Sequence, residues 1–441
     1  MYQDRYGLPL TAASEAAAAS YREGLDLILS AWTGAGEVLD RAIAEDPTFA
    51  LAYIARARVH QIYAEATDAR TKAAQARSLT ENITRRERQH IEIIARAVEG
   101  QPASALTAAE QHLNEFPRDA LVLSLLLGAF GLYAFSGRAD HDAARVAICE
   151  RHARHYGEDW WFLTYLGWAH TEGGNVAAGR TITEQAITLR EKNGNAAHAL
   201  AHALFKQGDA VAGSSFLNRW LPTYDGGSFL NGHLSWHLAL VALESNDIEG
   251  AIKIYQERIR PGTSHSPPLN FFTDTASFLW RIGLVKEVEL DRYWREVATY
   301  SHKKFPRAGV HFADVHWALV AAATHSEDLN QRLIELETLQ ASGKLAPGQS
   351  VIELYRGIRA FANGDYEAAV RAFEVLMPEL ARIGGSHAQR EIFEDTLLVA
   401  YLRSGYTEKA RNLINRRLHR RPSTRDEMWR TQVHASVANG T

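Results

Sequence analysis

The sequence predicts an all-α fold of tandem helical hairpins wound into a right-handed superhelical α-solenoid, and three observations predict it. Hydrophobic residues make up 46% of the 441 residues, yet Val, Ile and Thr never gather into the alternating runs that strands need. Alanine recurs in runs such as AASEAAAAS, a helix-forming composition. One motif also returns along the chain. An apolar helix is followed by a turn at Gly or Asn, then by a second helix with Ala and, four residues later, a large apolar side chain, often with Pro at its end. Such self-similarity marks stacked repeats, so a single array is expected over 1–441, with N-terminal repeats at 1–158, repeats lining a polar cavity at 159–393 and a C-terminal repeat and tail at 394–441.

The elements follow in order. GEVLDRAIAEDP ends on Pro47 and ASALTAAEQHLNEFP on Pro117, residues that cannot continue a helix. ALVLSLLLGAFGLYAF at 120–135 is shorter than a bilayer span of about 20 residues and reads as a buried repeat helix. HDAARVAICERHARHY holds the sole cysteine, Cys149, expected as buried packing; one cysteine excludes an intrachain disulfide and a cysteine-based zinc cluster. Turns are expected at Gly173-Gly174-Asn175, Gly208-Asp209, Asn246-Asp247, Gly283, Gly364-Asp365 and Gly405, with Pro422 as the last stop. Glycine there leaves the first helix through a left-handed cap, and small residues let paired helices approach. Gly174 and Gly208 are 34 residues apart and later turns farther apart, which describes a degenerate array with insertions. About eight to ten helical pairs are expected, with RPGTSHSPPLN at 260–270 as a loop between repeats.

The motif resembles the tetratricopeptide repeat. At a finer level the chain resembles the tetratricopeptide repeat protein 38 family, through AEDPTFALAY (44–53), ITRRERQHI (83–91), HALAHALF (198–205), HLSWHLAL (233–240), FADVHWAL (312–319) and GGSHAQREIF (384–393). His387 departs from that pattern, which carries Asn there. The resemblance covers nearly the whole chain. It implies a solenoid of degenerate tetratricopeptide-type hairpins whose first helices line an inner wall, and it implies no settled activity.

Charge narrows the partners. Lys plus Arg (48) nearly balances Asp plus Glu (52), so no global field draws the chain to nucleic acid or to an anionic membrane, and neither is expected as a partner. The start MYQDRYGLPL has no basic-then-apolar signal pattern, and the expected compartment is the cytoplasm. Arg416, Arg417, Arg420, Arg421 and Arg425 form one basic cluster, read as a solvated helix end without the aromatic platform of a nucleic-acid site. TRRER at 84–88 is expected to open a helix, with Arg and Glu in surface pairs or in a contact between repeats.

Polar residues on the first helices are the functional signal. His198 and His202 lie four apart on one helix, which puts them on one face, and His233 and His237 repeat that spacing on the next first helix. Asp274, then Asp314 with His316, then Gln389 with Arg390, occupy comparable places farther on, while Trp168 and Trp236 offer an aromatic wall. The competing reading makes each histidine a hydrogen-bonded core residue and Trp168, Trp236, Trp280 and Trp317 simple packing. Two His-x-x-x-His pairs with Asp274 suit a divalent metal such as zinc or iron, although no His-Glu-x-x-His motif occurs. The expectation is therefore a His/Asp-rich pocket for a small-molecule ligand or substrate. It would serve a hydrolase or lyase in which His198, His202, His233, His237, Asp274, Asp314 and His316 act as ligands or acid/base groups, and Trp168, Trp236, Gln389 and Arg390 contact substrate. The alternative is a protein-interaction scaffold that binds a peptide or a partner protein in its groove.

Overall fold

A computed structural model of the chain describes residues 2–326 and 328–438. A two-stranded antiparallel pair, Tyr2–Gln3 with Pro9–Leu10, opens it and is too short to leave an alternating pattern in the sequence. From Glu15 onwards the described chain is a succession of helical hairpins.

The turns show why the hairpins form. Gly174, Gly208, Asn246, Gly364 and Gly405 all have positive φ, between +63° and +99°, where a side chain with a Cβ is disfavoured. The aspartate that follows three of them caps the second helix: Asp209 accepts from the Ala212 amide, Asp247 from Gly250 and Asp365 from Ala368, at 2.9 to 3.1 Å. Helices end just before Pro47, Pro117 and Pro422 as expected. Gly283, expected as a turn, lies inside the helix Pro268–Val285. The loop at 260–270 ends earlier than expected as well, because Pro268 occupies the first helical turn, where a missing N–H costs nothing.

The chain divides into two compact units. The first comprises residues up to Ser136 with Asp142–Leu200 and Gly227–Leu230, and the second Gly137–His141, Ala201–Gly226 and the residues from Asn231 onwards; the division runs through the helix Gly194–Gln207.

In the first unit the helices Trp160–Glu172 and Val176–Leu189 cross where Gly167 meets Gly179, and a Cβ on Gly167 would overlap the Thr183 hydroxyl. Cys149 is buried, and burial pushes its thiol up to about 12, so it packs as a neutral group. The TRRER segment opens the helix Arg85–Val98 through a capping box between Thr84 and Glu87. Arg85 forms the expected surface pair with Glu115, but Arg86 is buried and donates to Asp119 at 3.1 Å. Asp119 also accepts from His90 (2.9 Å) and His112 (3.0 Å). Burial opposes its charge, yet the two imidazoles and Arg86 hold its carboxyl well below the usual range.

In the second unit the first helices Asn231–Glu244, Pro268–Val285, His311–Ala323 and Gln349–Ala362 pack one against the next. The helix His387–Arg403 then returns onto Pro268–Val285, and Thr424–Ala438 onto Asn231–Glu244. Three members of the basic cluster expected in solvent fasten this return, while Arg416 is exposed as expected. Arg417 pairs with Asp395 (2.7 Å) and Asp426 (2.9 Å), Arg421 grips Glu391 through two bonds (2.6 and 3.0 Å), and Arg425 reaches Glu244 (2.7 Å). All three guanidinium groups are buried, while Arg420 stays half exposed at the edge. Burial works against the charge on Glu391, but Arg421 and Arg417 outweigh it and hold that carboxyl well below the usual range. Among the described residues no helix is long and apolar enough to cross a membrane.

Candidate functional site

Three of the four stripe histidines meet in the interior of the second unit. His202 comes from the helix Gly194–Gln207, and His233 and His237 from successive turns of Asn231–Glu244. Their exposures are 0%, 2% and 1%. The rings of His202 and His237 have centroids 4.3 Å apart and those of His233 and His237 4.9 Å, each pair edge to face. One potential ligand nitrogen from each lies within 4.8 Å of the others. Four-residue spacing puts His233 and His237 on one helix face, and the neighbouring helix brings His202 against them.

Neighbouring side chains fix the rings. The Nδ1 of His233 donates to Oδ2 of Asp274, on the helix Pro268–Val285, at 2.7 Å. A carboxylate only accepts, so this bond places a proton on Nδ1. Burial raises the Asp274 carboxyl above its usual value, and His233, then Gln389, then Arg281 pull it back towards the charged form. Trp236 stacks on His233 at 5.2 Å with planes 14° apart, and the Arg281 guanidinium lies over the Trp236 ring at 5.7 Å. His198, one turn before His202 on the same helix, belongs to the first unit and is half-buried. In the first unit Trp168 stacks on its ring at 5.1 Å.

The remaining expected residues have other duties. Asp314 receives two bonds from Arg332 (3.0 and 2.7 Å) and one from the Gly309 amide (3.0 Å), which makes it a clasp between its helix and the helix Asp328–Ala341 rather than a member of the imidazole cluster. Burial still pushes its carboxyl up to about 6. His316 donates Nδ1 to its own helix at Phe312 (2.8 Å) and packs beside Phe393; burial lowers it to about 3, so it stays neutral across the physiological range. Arg390 is spent on the Gly385 carbonyl (2.6 Å) and His141 (3.3 Å), so the expected anion contact is a loop anchor. Gln389 accepts from the Ser386 amide (2.9 Å) in a capping box, and its amide lies against Asp274. Gln389 thus reaches the cluster through the Asp274 carboxylate.

Arg281 and the Asp119 group are what sequence reasoning missed. Arg281 is buried, donates to the Ala388 carbonyl at 2.7 Å, and has its guanidinium lowered to about 10 by burial. It ties the helix bearing Asp274 to the helix bearing Gln389. The signal for the other was available: Arg86 and His90 are four apart, and Asp119 follows the Pro117 stop.

No family model matches the chain. Among solved structures it is similar to a human IFIT1 dimer with m7Gppp-AAAA, at 12% identity over 95% of this chain and 97% of that one, with a TM-score of 0.44. It is also similar to yeast Tom70, at 13% identity over 96% of each chain and a TM-score of 0.33, and to the P58(IPK) TPR domain, at 14% identity over 89% of this chain and 99% of that one and a TM-score of 0.22. At these values no activity or partner is carried across.

Proposed function

We propose that the protein is a helical-repeat scaffold whose second unit holds a divalent transition-metal ion of the zinc class on His202, His233 and His237. The observation that carries this reading is the buried meeting of those three imidazoles with Asp274 bonded to Nδ1 of one of them. A ligating histidine whose other nitrogen is bound by a carboxylate is the usual support of such a ligand. Nitrogen ligands at about 2.0 to 2.1 Å on a tetrahedral ion sit about 3.4 Å from each other, so small ring rotations close a set now within 4.8 Å. Imidazole suits zinc, copper, nickel and iron alike, with zinc favoured by a tetrahedral set that needs no redox change.

The small-molecule ligand of the histidine cluster is, on this reading, the ion itself. Three protein ligands leave a tetrahedral ion its fourth position, and near-complete burial of the rings restricts that position to water or a small ligand. The stacked hairpins would then present their outer faces to a protein partner, as repeat arrays commonly do. HALAHALF and HLSWHLAL, which carry the likeness to the tetratricopeptide repeat protein 38 family, also carry these histidines, and we read the chain as a member of that group.

Elemental analysis of protein purified without chelator tests the reading. One equivalent of zinc or a neighbouring metal is expected, and His237→Ala should lose it while keeping the helical signal. Stoichiometry that is unchanged in His237→Ala would remove the cluster from consideration.

A further inference from the structure

The first unit contains a cavity of about 330 Å³ where the ends of the helices Glu15–Leu29 and Ala50–Ile62, the start of Ala35–Glu45 and the segment Gly227–Phe229 come together. Its volume is at the lower end of the range for small-ligand sites, roughly 300 to 1,000 Å³. Trp32, Tyr63 and Phe229 form aromatic walls, with the planes of Tyr63 and Phe229 86° apart and their centroids at 6.4 Å. Glu37 and Glu65 supply two carboxylates. Both act on Tyr63: after burial, they are the groups that hold its hydroxyl above the usual value.

Arg56, which lines the site, and His60, beside it in sequence, each already have an acidic partner. Arg56 pairs with Asp40 (3.0 Å) and lies against Gly36, where a Cβ would come within 3.3 Å of the guanidinium. His60 meets Glu65 at 2.5 Å. With Asp40 offsetting Arg56, Glu37 leaves the cavity with an excess of negative charge.

We propose that this cavity binds a small organic ammonium ion of the trimethylammonium class, between the aromatic faces of Trp32, Tyr63 and Phe229 and beside the carboxylates of Glu37 and Glu65. Aromatic faces attract a cation through the ring quadrupole and at the same time bury its methyl groups. A metal ion or a primary ammonium would instead retain water or demand a fixed set of acceptors, which three aromatic walls do not provide. The same headgroup occurs in a free metabolite and on a methylated lysine, and the pocket reads only the shared chemistry.

Calorimetric titration of the full chain with choline, and with its neutral isostere 3,3-dimethylbutan-1-ol, tests the proposal. Saturable choline binding is expected, with the alcohol at least tenfold weaker. Glu37→Gln should weaken choline several-fold and Tyr63→Leu at least tenfold, while the melting temperature of Glu37→Gln stays at the wild-type value. A trimethyllysine peptide that displaces choline and binds more tightly would support the ammonium site and assign its source to a protein tail; weaker binding would assign it to a free molecule. Equal binding of the alcohol, absence of choline binding at tens of millimolar, or an unchanged affinity in Glu37→Gln would each overturn the proposal.

Discussion

Asp274→Asn separates a residue that serves the proposed ion from one that merely holds the fold. The carboxylate sits 2.7 Å from Nδ1 of His233, and both groups are buried. Asparagine has nearly the same shape and keeps an oxygen that can accept the Nδ1 proton, so ring orientation survives. The negative charge is what disappears. Loss of such a carboxylate support generally costs 10- to 100-fold in metal affinity, or about 1.4 to 2.7 kcal/mol. Stability of the metal-free protein should move the other way or hardly at all. Burial raises the Asp274 carboxyl above its usual value, which means the fold already resists that charge, and a neutral isostere relieves the resistance. Zinc affinity measured by competition with a chromogenic chelator, beside urea unfolding of the metal-free protein, reads the two effects separately. Unchanged zinc affinity, together with a fall of about 3 kcal/mol or more in metal-free stability, would identify a structural ion pair and refute the reasoning.

Other perturbations test the frame around the site. Gly167→Ala places a methyl group against the Thr183 hydroxyl at a helix crossing and should cost about 1 to 3 kcal/mol in denaturant unfolding, whereas the same change at Gly226, which has open space, should not. Glu391→Gln leaves Arg421 buried without its full counter-charge and should cost about 3 to 5 kcal/mol at pH 7. Because the folded pKa of Glu391 is depressed, its contribution is complete above the unfolded carboxyl value of about 4.3 and is lost as pH falls through the folded value. The stability gap between wild type and Glu391→Gln should therefore stay level from pH 7 to 5 and shrink below about pH 4; a gap that does not shrink would contradict that assignment. Asp247→Ala removes the cap on the Gly250 amide and should cost about 1 kcal/mol, read as a shift in urea midpoint with unchanged slope.

Much of the frame was legible in the sequence because backbone demands narrow the choice of residue. A left-handed turn followed by a helix start selects Gly-Asp or Asn-Asp, and that pair recurs at 208, 246 and 364. Gly283 looked the same but lacks the capping residue after it, and its helix runs on to Val285. The imidazole stripe was legible from spacing, since His198 and His202, and His233 and His237, each occupy one helix face. Asp314 and His316 were misleading because equivalent position in a repeat does not fix direction: Arg332 on the next helix claims the first, and the Phe312 carbonyl on its own helix claims the second. Burial of the C-terminal arginines could have been read from a complementary ladder. Glu391 and Asp395 are four apart on one helix, and Arg417 and Arg421 are four apart on the next, so each guanidinium finds a carboxylate in the interface. The two-stranded opening and the cavity beside Trp32 left no such trace, since both depend on residues brought together only by the fold.

The most direct measurement is X-ray absorption at the metal edge of the purified, zinc-loaded protein, compared with His202→Ala and His237→Ala. A first shell of imidazole nitrogens at about 2.0 to 2.1 Å, with multiple-scattering features of at least three rings that diminish in each variant, is what the account predicts. A shell dominated by oxygen, or one indifferent to both substitutions, would contradict it.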